Sequence, residues 1–122
     1  MTDFNNLTEE KLEELEEIVF GIISYAGEAK SLAYEALRLS EIGNFEKVDA
    51  LLEASQKAVM EAHHIQTDLI QKEAAGEKTP ISMLFVHAQD HLMGALSEKE
   101  LITKMVAQNK RLFEIEKVLF NK

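Results

Sequence analysis

The chain contains no cysteine, one proline and five glycines in 122 residues. Without cysteine it can form no disulfide, present no thiolate nucleophile and build no cysteine-ligated zinc site. No apolar run approaches the roughly 20 residues that a helix needs to cross a bilayer. The opening residues, Met1 to Asn6, lack a basic region followed by an apolar one, so no export signal is expected. Positive charge is scarce as well: 13 basic residues stand against 22 acidic ones, for a net charge of −9. The lysines and arginines form no block, so a nucleic-acid backbone would be repelled. These absences predict a soluble cytoplasmic protein that binds no nucleic acid and does not insert into a membrane.

Strand-like alternation of useful length is also missing, and helical periodicity fills its place. Leu12, Leu15, Val19, Ile22, Ala26, Ala29, Ala33 and Leu37 recur at spacings of three and four. Thr8 is placed to cap this first helix, and the glutamates from Glu9 to Glu17 crowd the end where the macrodipole favours anions. Gly43 suits the position just past its end, and Asn44 can cap the next helix. Val48, Leu51, Leu52, Val59, Ala62, Ile65 and Leu69 stripe that second helix, which Gly76 closes. Thr79-Pro80 reads as cap and first residue of the third, because proline lacks only an N–H that the first turn leaves unpaired. Helices are thus predicted over about 8–42, 44–75 and 80–119, with residues 1–7 flexible. Their short loops force antiparallel neighbours, so the expectation is an all-α antiparallel three-helix bundle forming one domain. Gly21 and Gly27, with Ala26, Ala29, Ala33 and Ala36, predict a stretch of the first helix where another helix can approach closely.

The third helix has apolar residues on too many sides for such a bundle. Ile81, Met83, Leu84, Phe85, Val86, Leu92, Met93 and Leu96 spread around most of its circumference, which predicts burial on more than one side and hence self-association. Met83, Val86, Asp90, Met93, Ser97 and Leu101 form a heptad-like row interrupted by one carboxylate. If copies meet along it, their Asp90 groups converge, and a shared proton or a hard divalent cation such as Mg²⁺ would relieve the repulsion. The plainer alternative is that Asp90 faces water or a histidine.

All four histidines fall in two clusters, His63-His64 and His87/His91. His87 and His91 lie one turn apart on one face. That spacing can supply two metal ligands, or one reactive imidazole with a neighbour. His63 and His64, beside Glu61 and Gln66, read as ordinary surface residues of a helix. No glycine-rich phosphate loop, HExxH signature or pair of Glu-x-x-His motifs is present. Three readings stay open on this ground: an imidazole that accepts a phosphoryl group, a metal-binding bundle, and a structural oligomer whose histidines only pack. A phosphohistidine domain of the two-component type would carry Lys and Gly three and four residues after the histidine, where Asp90 and His91 stand.

The segment Val86-His87-Ala88-Gln89-Asp90-His91-Leu92-Met93 closely resembles the enzyme IIA subunits of the lactose/cellobiose/chitobiose class of the bacterial phosphoenolpyruvate-dependent sugar phosphotransferase system. Tyr25 to Ser31, Gly43 to Glu46 and Glu61 to Thr67 resemble the same family, in the same order. The resemblance implies a homotrimer of three-helix monomers. It implies that His87 is phosphorylated by the phosphocarrier HPr and passes the group to a cysteine of a cognate enzyme IIB, for phosphorylation of an incoming disaccharide. Asp90 would lie at the trimer axis and bind a divalent metal, and Gln89 and His91 would neighbour the active histidine. One position departs from the family pattern: Gly94 stands where Thr is expected, which removes a hydroxyl near the active face.

Overall fold

The computed structural model describes residues 8–120, so the expectation for residues 1–7 lies outside the described residues. The chain forms three helices, α1 (Glu9–Glu41), α2 (Val48–Ala74) and α3 (Met83–Phe120). Thr8 caps α1 as expected: its hydroxyl accepts from the Lys11 N–H at 3.1 Å, and Glu9 and Glu10 follow in the first turn.

Both turns between helices begin with the same device. At the end of α1 the Asn44 N–H reaches the Leu39 carbonyl at 2.9 Å and the Gly43 N–H reaches that of Ser40 at 3.2 Å. At the end of α2 the Glu77 N–H bonds the Lys72 carbonyl at 2.9 Å and the Gly76 N–H that of Glu73 at 3.0 Å. These are paired Schellman closures, and the glycines take φ of 78° and 103° because a Cβ would be strained there.

Two helix starts fall later than the sequence predicts. Asn44 does not cap α2: it lies in the turn that closes α1, three residues ahead of the Lys47 cap position. Phe45 instead turns inward, where it packs against the core and lies 5.5 Å from the Phe113 ring, and α2 starts at Val48 behind an uncapped Lys47. Likewise Thr79-Pro80 does not open α3. Pro80 is buried in the loop, and Ser82 supplies the cap: its hydroxyl accepts from the Phe85 N–H at 3.1 Å and its carbonyl from the Val86 N–H at 3.0 Å.

α1 is the central helix. It packs extensively against both α2 and α3, which touch each other only slightly. Its seam, Ala26, Ala29, Ala33 and Ala36, is fully buried. Ala26 and Ala29 meet Ala58, Val59 and Ala95 in a middle layer of small side chains, where the Ser55 hydroxyl also donates to the Ala29 carbonyl at 2.7 Å. Larger residues fill the layers on either side. Val19, Ile22, Leu69 and Leu92 lie toward the α2–α3 loop, and Leu39, Val48, Ile102 and Val106 toward the α1–α2 turn. Gly21 belongs to this close packing, since a Cβ there would come within 3.1 Å of the Ile65 side chain; Gly27 does not, having nothing near it.

The α1–α2 turn gives a direct test. A Cβ on Gly43 would meet the Phe113 ring at 2.8 Å, on a backbone that already disfavours side chains. Gly43→Ala is therefore expected to cost about 1–2 kcal/mol from the left-handed backbone alone, with ring displacement added. Thermal denaturation should show a drop of several degrees; an unchanged melting temperature would contradict this account of the turn.

Candidate active site

His87 sits in the second turn of α3, on the side that the bundle does not cover. It is exposed, and it shares an open surface hollow with Met83, Leu84, Val86 and Asp90. The His91 ring stands against it edge to face, with ring centroids 4.6 Å apart and planes at 81°. His91 is half-buried, and its Nδ1 is buried without a hydrogen-bond partner. The outcome is an asymmetric pair: one imidazole faces solvent, and the second, wedged into the protein surface, restricts how the first can turn.

Gln89 points elsewhere. It is half-buried toward α2, where its Oε1 accepts from Gln66 Nε2 at 2.8 Å. This bond ties α2 to α3 beside the motif, at a place where the two helices otherwise make little contact. Sequence reasoning took Gln66 for a surface residue. Its spacing of four from the buried Ala62 was the available signal that it lies near the α3 side. His63 and His64 are exposed, and His63 Nδ1 lies 3.5 Å from the Thr67 hydroxyl on its own helix. Among the described residues no three or more His, Cys, Asp or Glu side chains converge.

Asp90 is exposed within an apolar row. Met83 and Met93, on the same face, are 85% and 55% exposed, and Val86 and Leu101 are also largely uncovered. Within one chain, then, the apolar excess of α3 stays in solvent. Farther along the face of His87 and His91 comes Gly94. A Cβ there would meet only Glu98 Oε2 and Lys30 Nζ at 3.8 and 3.9 Å, so the missing side chain leaves room that would accept one. Glu98 forms a clamp to α1: the Tyr34 hydroxyl donates to its Oε1 at 2.7 Å, and Lys30 Nζ lies 3.0 Å from its Oε2. The hydrogen bond from Tyr34, and then the one from Lys30, hold the Glu98 carboxyl below its ordinary range, while Glu98 raises the Tyr34 hydroxyl.

This site and scaffold match one family of proteins. Residues 17–110 fit the model of the lactose/cellobiose-specific IIA subunit of the PTS system. The chain is 42% identical over 114 residues to the N,N'-diacetylchitobiose-specific EIIA component of Escherichia coli (strain K12), covering 92% of this chain and 98% of that one. The crystal structure of the cellobiose-specific enzyme IIA from Bacillus anthracis superposes with a TM-score of 0.79 at 42% identity, covering 90% of this chain and 96% of that one. The IIA(chitobiose) of an Escherichia coli complex with HPr, solved in solution, superposes with a TM-score of 0.70 at 42% identity, covering 80% of this chain and 95% of that one. The chain belongs to the lactose/cellobiose-specific IIA family. Within the phosphotransferase system it is an EIIA component. Among the described residues no helix is long and apolar enough to cross a membrane.

The Glu98 clamp makes the stability dependent on acid. A carboxyl whose pKa is depressed on folding adds stability above its unfolded pKa, and loses it as pH falls through the folded value. Glu98→Gln should lower the melting temperature at neutral pH, and the gap from wild type should close as pH falls below the carboxylate range. A gap that stayed constant with pH would show that the charge of Glu98 contributes nothing.

Proposed function

We propose that His87 accepts a phosphoryl group from phospho-HPr and passes it to a cysteine of the cognate enzyme IIB, driving uptake and phosphorylation of a disaccharide of the lactose, cellobiose or chitobiose type. The observation that carries this reading is the exposed His87 ring, braced by His91, inside the His-Ala-Gln-Asp-His segment of an enzyme IIA chain. In the first transfer an imidazole nitrogen of His87 attacks phosphorus in line, one P–N bond forming as the donor's breaks. In the second that bond breaks as a P–S bond forms on the acceptor. The protein's share is chiefly positioning: His91 limits the swing of the ring, and the Gln66–Gln89 bond steadies the adjoining backbone. A complex of the relative with HPr supports HPr as the donor. Such a carrier works in the cytoplasm, where its partners meet the inner face of the membrane.

The uncovered row on α3 supports self-association about an axis running along that helix, and the family resemblance makes the assembly a trimer. Each copy would then bring one Asp90 carboxylate to the axis. Among the described residues one chain brings no three such side chains together, but three Asp90 carboxylates related by symmetry would fit a hard divalent cation such as Mg²⁺, which takes oxygen ligands and keeps part of its water shell. Its task there would be to neutralise converging charge, apart from the phosphoryl transfer itself.

Two measurements test these statements. With phosphoenolpyruvate, enzyme I and HPr, the wild-type protein should gain acid-labile, base-stable phosphate, and His87→Ala should gain none. Label that persists in the variant, or is absent from wild type, would sink the phosphocarrier reading. In sedimentation, Asp90→Leu should keep or strengthen the trimer, because an apolar side chain replaces three facing charges; dissociation to monomers would count against the axial placement.

A further inference from the structure

The sequence scatters its lysines, but the fold gathers three of them. Lys11 in the first turn of α1, Lys72 in the last turn of α2 and Lys78 in the loop line one cavity of about 180 Å³ beside the α2–α3 loop. The turn that closes α2 brings the last two near each other, since the Glu77 N–H bonds the Lys72 carbonyl. This cavity shares no residue with the hollow of His87. Ordinary structural reasons cover only part of the convergence. Lys72 answers the carbonyl pole at the end of α2. Lys11 has the opposite setting: it stands at the amino pole of α1, where a cation is disfavoured, and it is the only base between Thr8 and Ala29. The chain has 22 acidic residues, yet neither Lys11 nor Lys72 forms an ion pair with a described residue; such pairs lie at Lys30–Glu98, Arg38–Glu35 and Lys99–Glu100. Glu14 and Glu77 line the same cavity, both exposed, so three ammonium groups stand against two carboxylates.

We propose that this cavity binds the phosphate group of a small phosphomonoester. The group would sit between the ammonium groups of Lys11 and Lys72, beside the amino pole of α1, with the Thr79 hydroxyl in the same wall. Each exposed ion pair contributes little alone, so the site depends on several cations acting on one dianion. The rest of the wall selects an ester over the free ion. Leu15, Ile18, Leu69 and Pro80 offer apolar surface to a carbon skeleton and nothing to a bare phosphate. A water takes about 30 Å³ of liquid volume, so the cavity has room for about six, enough for the phosphate and part of the molecule that carries it. Thr79 and Pro80 belong also to a second cavity on the α3 side of α1, and Ser82, which caps α3, follows two residues later. An occupied site would therefore tie α1 and α2 to the loop from which the helix of His87 begins.

Titration of the full, unphosphorylated chain, followed by ¹H–¹⁵N NMR at fixed ionic strength, tests this with glucose 6-phosphate, glucose and inorganic phosphate as probes. Glucose 6-phosphate should shift the amides of Lys11, Lys72 and Thr79 together and saturate with a Kd of about 1 mM or tighter. Glucose should shift none of them, and inorganic phosphate should bind about threefold more weakly or worse, for want of the apolar contact. Lys11→Gln combined with Lys72→Gln should weaken glucose 6-phosphate by about tenfold or more. Lys11→Gln alone should also weaken it while keeping or raising the melting temperature, because that ammonium opposes the pole of α1; a lowered melting temperature would mark a structural lysine and count against the site. Shifts that never saturate, that spread equally over Lys47 and Lys57, or that survive the double substitution overturn the proposal, and equal binding of phosphate and its ester overturns the choice of ester. Phosphorylation of His87 enters none of these readings, so the site and the phosphocarrier reading fail separately.

Discussion

Everything in the molecule depends on how closely helices can approach α1. Its alanine seam lets the backbones of α2 and α3 come near, and the small layer formed with Ala58, Val59 and Ala95 fixes the spacing at mid-length. Because α1 takes both neighbours, α2 and α3 scarcely meet each other. One side of α3 is therefore consumed by α1 and part of another by α2, while the remainder stays outside. His87, Asp90 and the apolar row all lie on that remainder. The packing of small residues in the interior thus decides which surface of α3 is left uncovered.

Helix count, order and core faces were legible in the sequence because periodicity records burial directly. Every residue of the alanine seam named from spacing is buried in the structure, and Thr8 caps where its position before an apolar-periodic run indicated. The errors fall at helix starts, where two local signals competed. Asn44 has the chemistry of a cap, but it belongs to the closing turn of the preceding helix, and α2 starts three residues after it, behind Lys47. Thr79-Pro80 has the chemistry of a helix start, but burial of Pro80 holds it in the loop and Ser82 takes the capping role. Such contests are settled by tertiary packing, which no local pattern encodes.

The site was legible to a different degree. His87, Asp90 and His91 could be named from the motif and the one-turn spacing, and the structure places all three on the first turns of one helix. The edge-to-face contact between the two rings depends on their side-chain rotamers, and the division into one exposed and one half-buried imidazole depends on the rotation of α3 against α1. Gln66 escaped notice because its role comes from α2 leaning toward Gln89, a relation between helices that share little other contact. Gly94 reads differently once its surroundings are known: the side chain it lacks would have pointed toward Lys30 and Glu98, into space that could hold it.

The clamp of Tyr34 and Lys30 on Glu98 has a mechanical consequence. A long helix resting on a smooth seam of alanines could roll about its own axis, and a slip of one residue would swing the azimuth of every side chain by about 100°. Glu98 lies eleven residues, close to three whole turns, beyond His87, so gripping one sets the bearing of the other. The carboxylate fastened to α1 acts as a keyway in a shaft, and the direction in which His87 faces solvent is fixed well away from the imidazole itself.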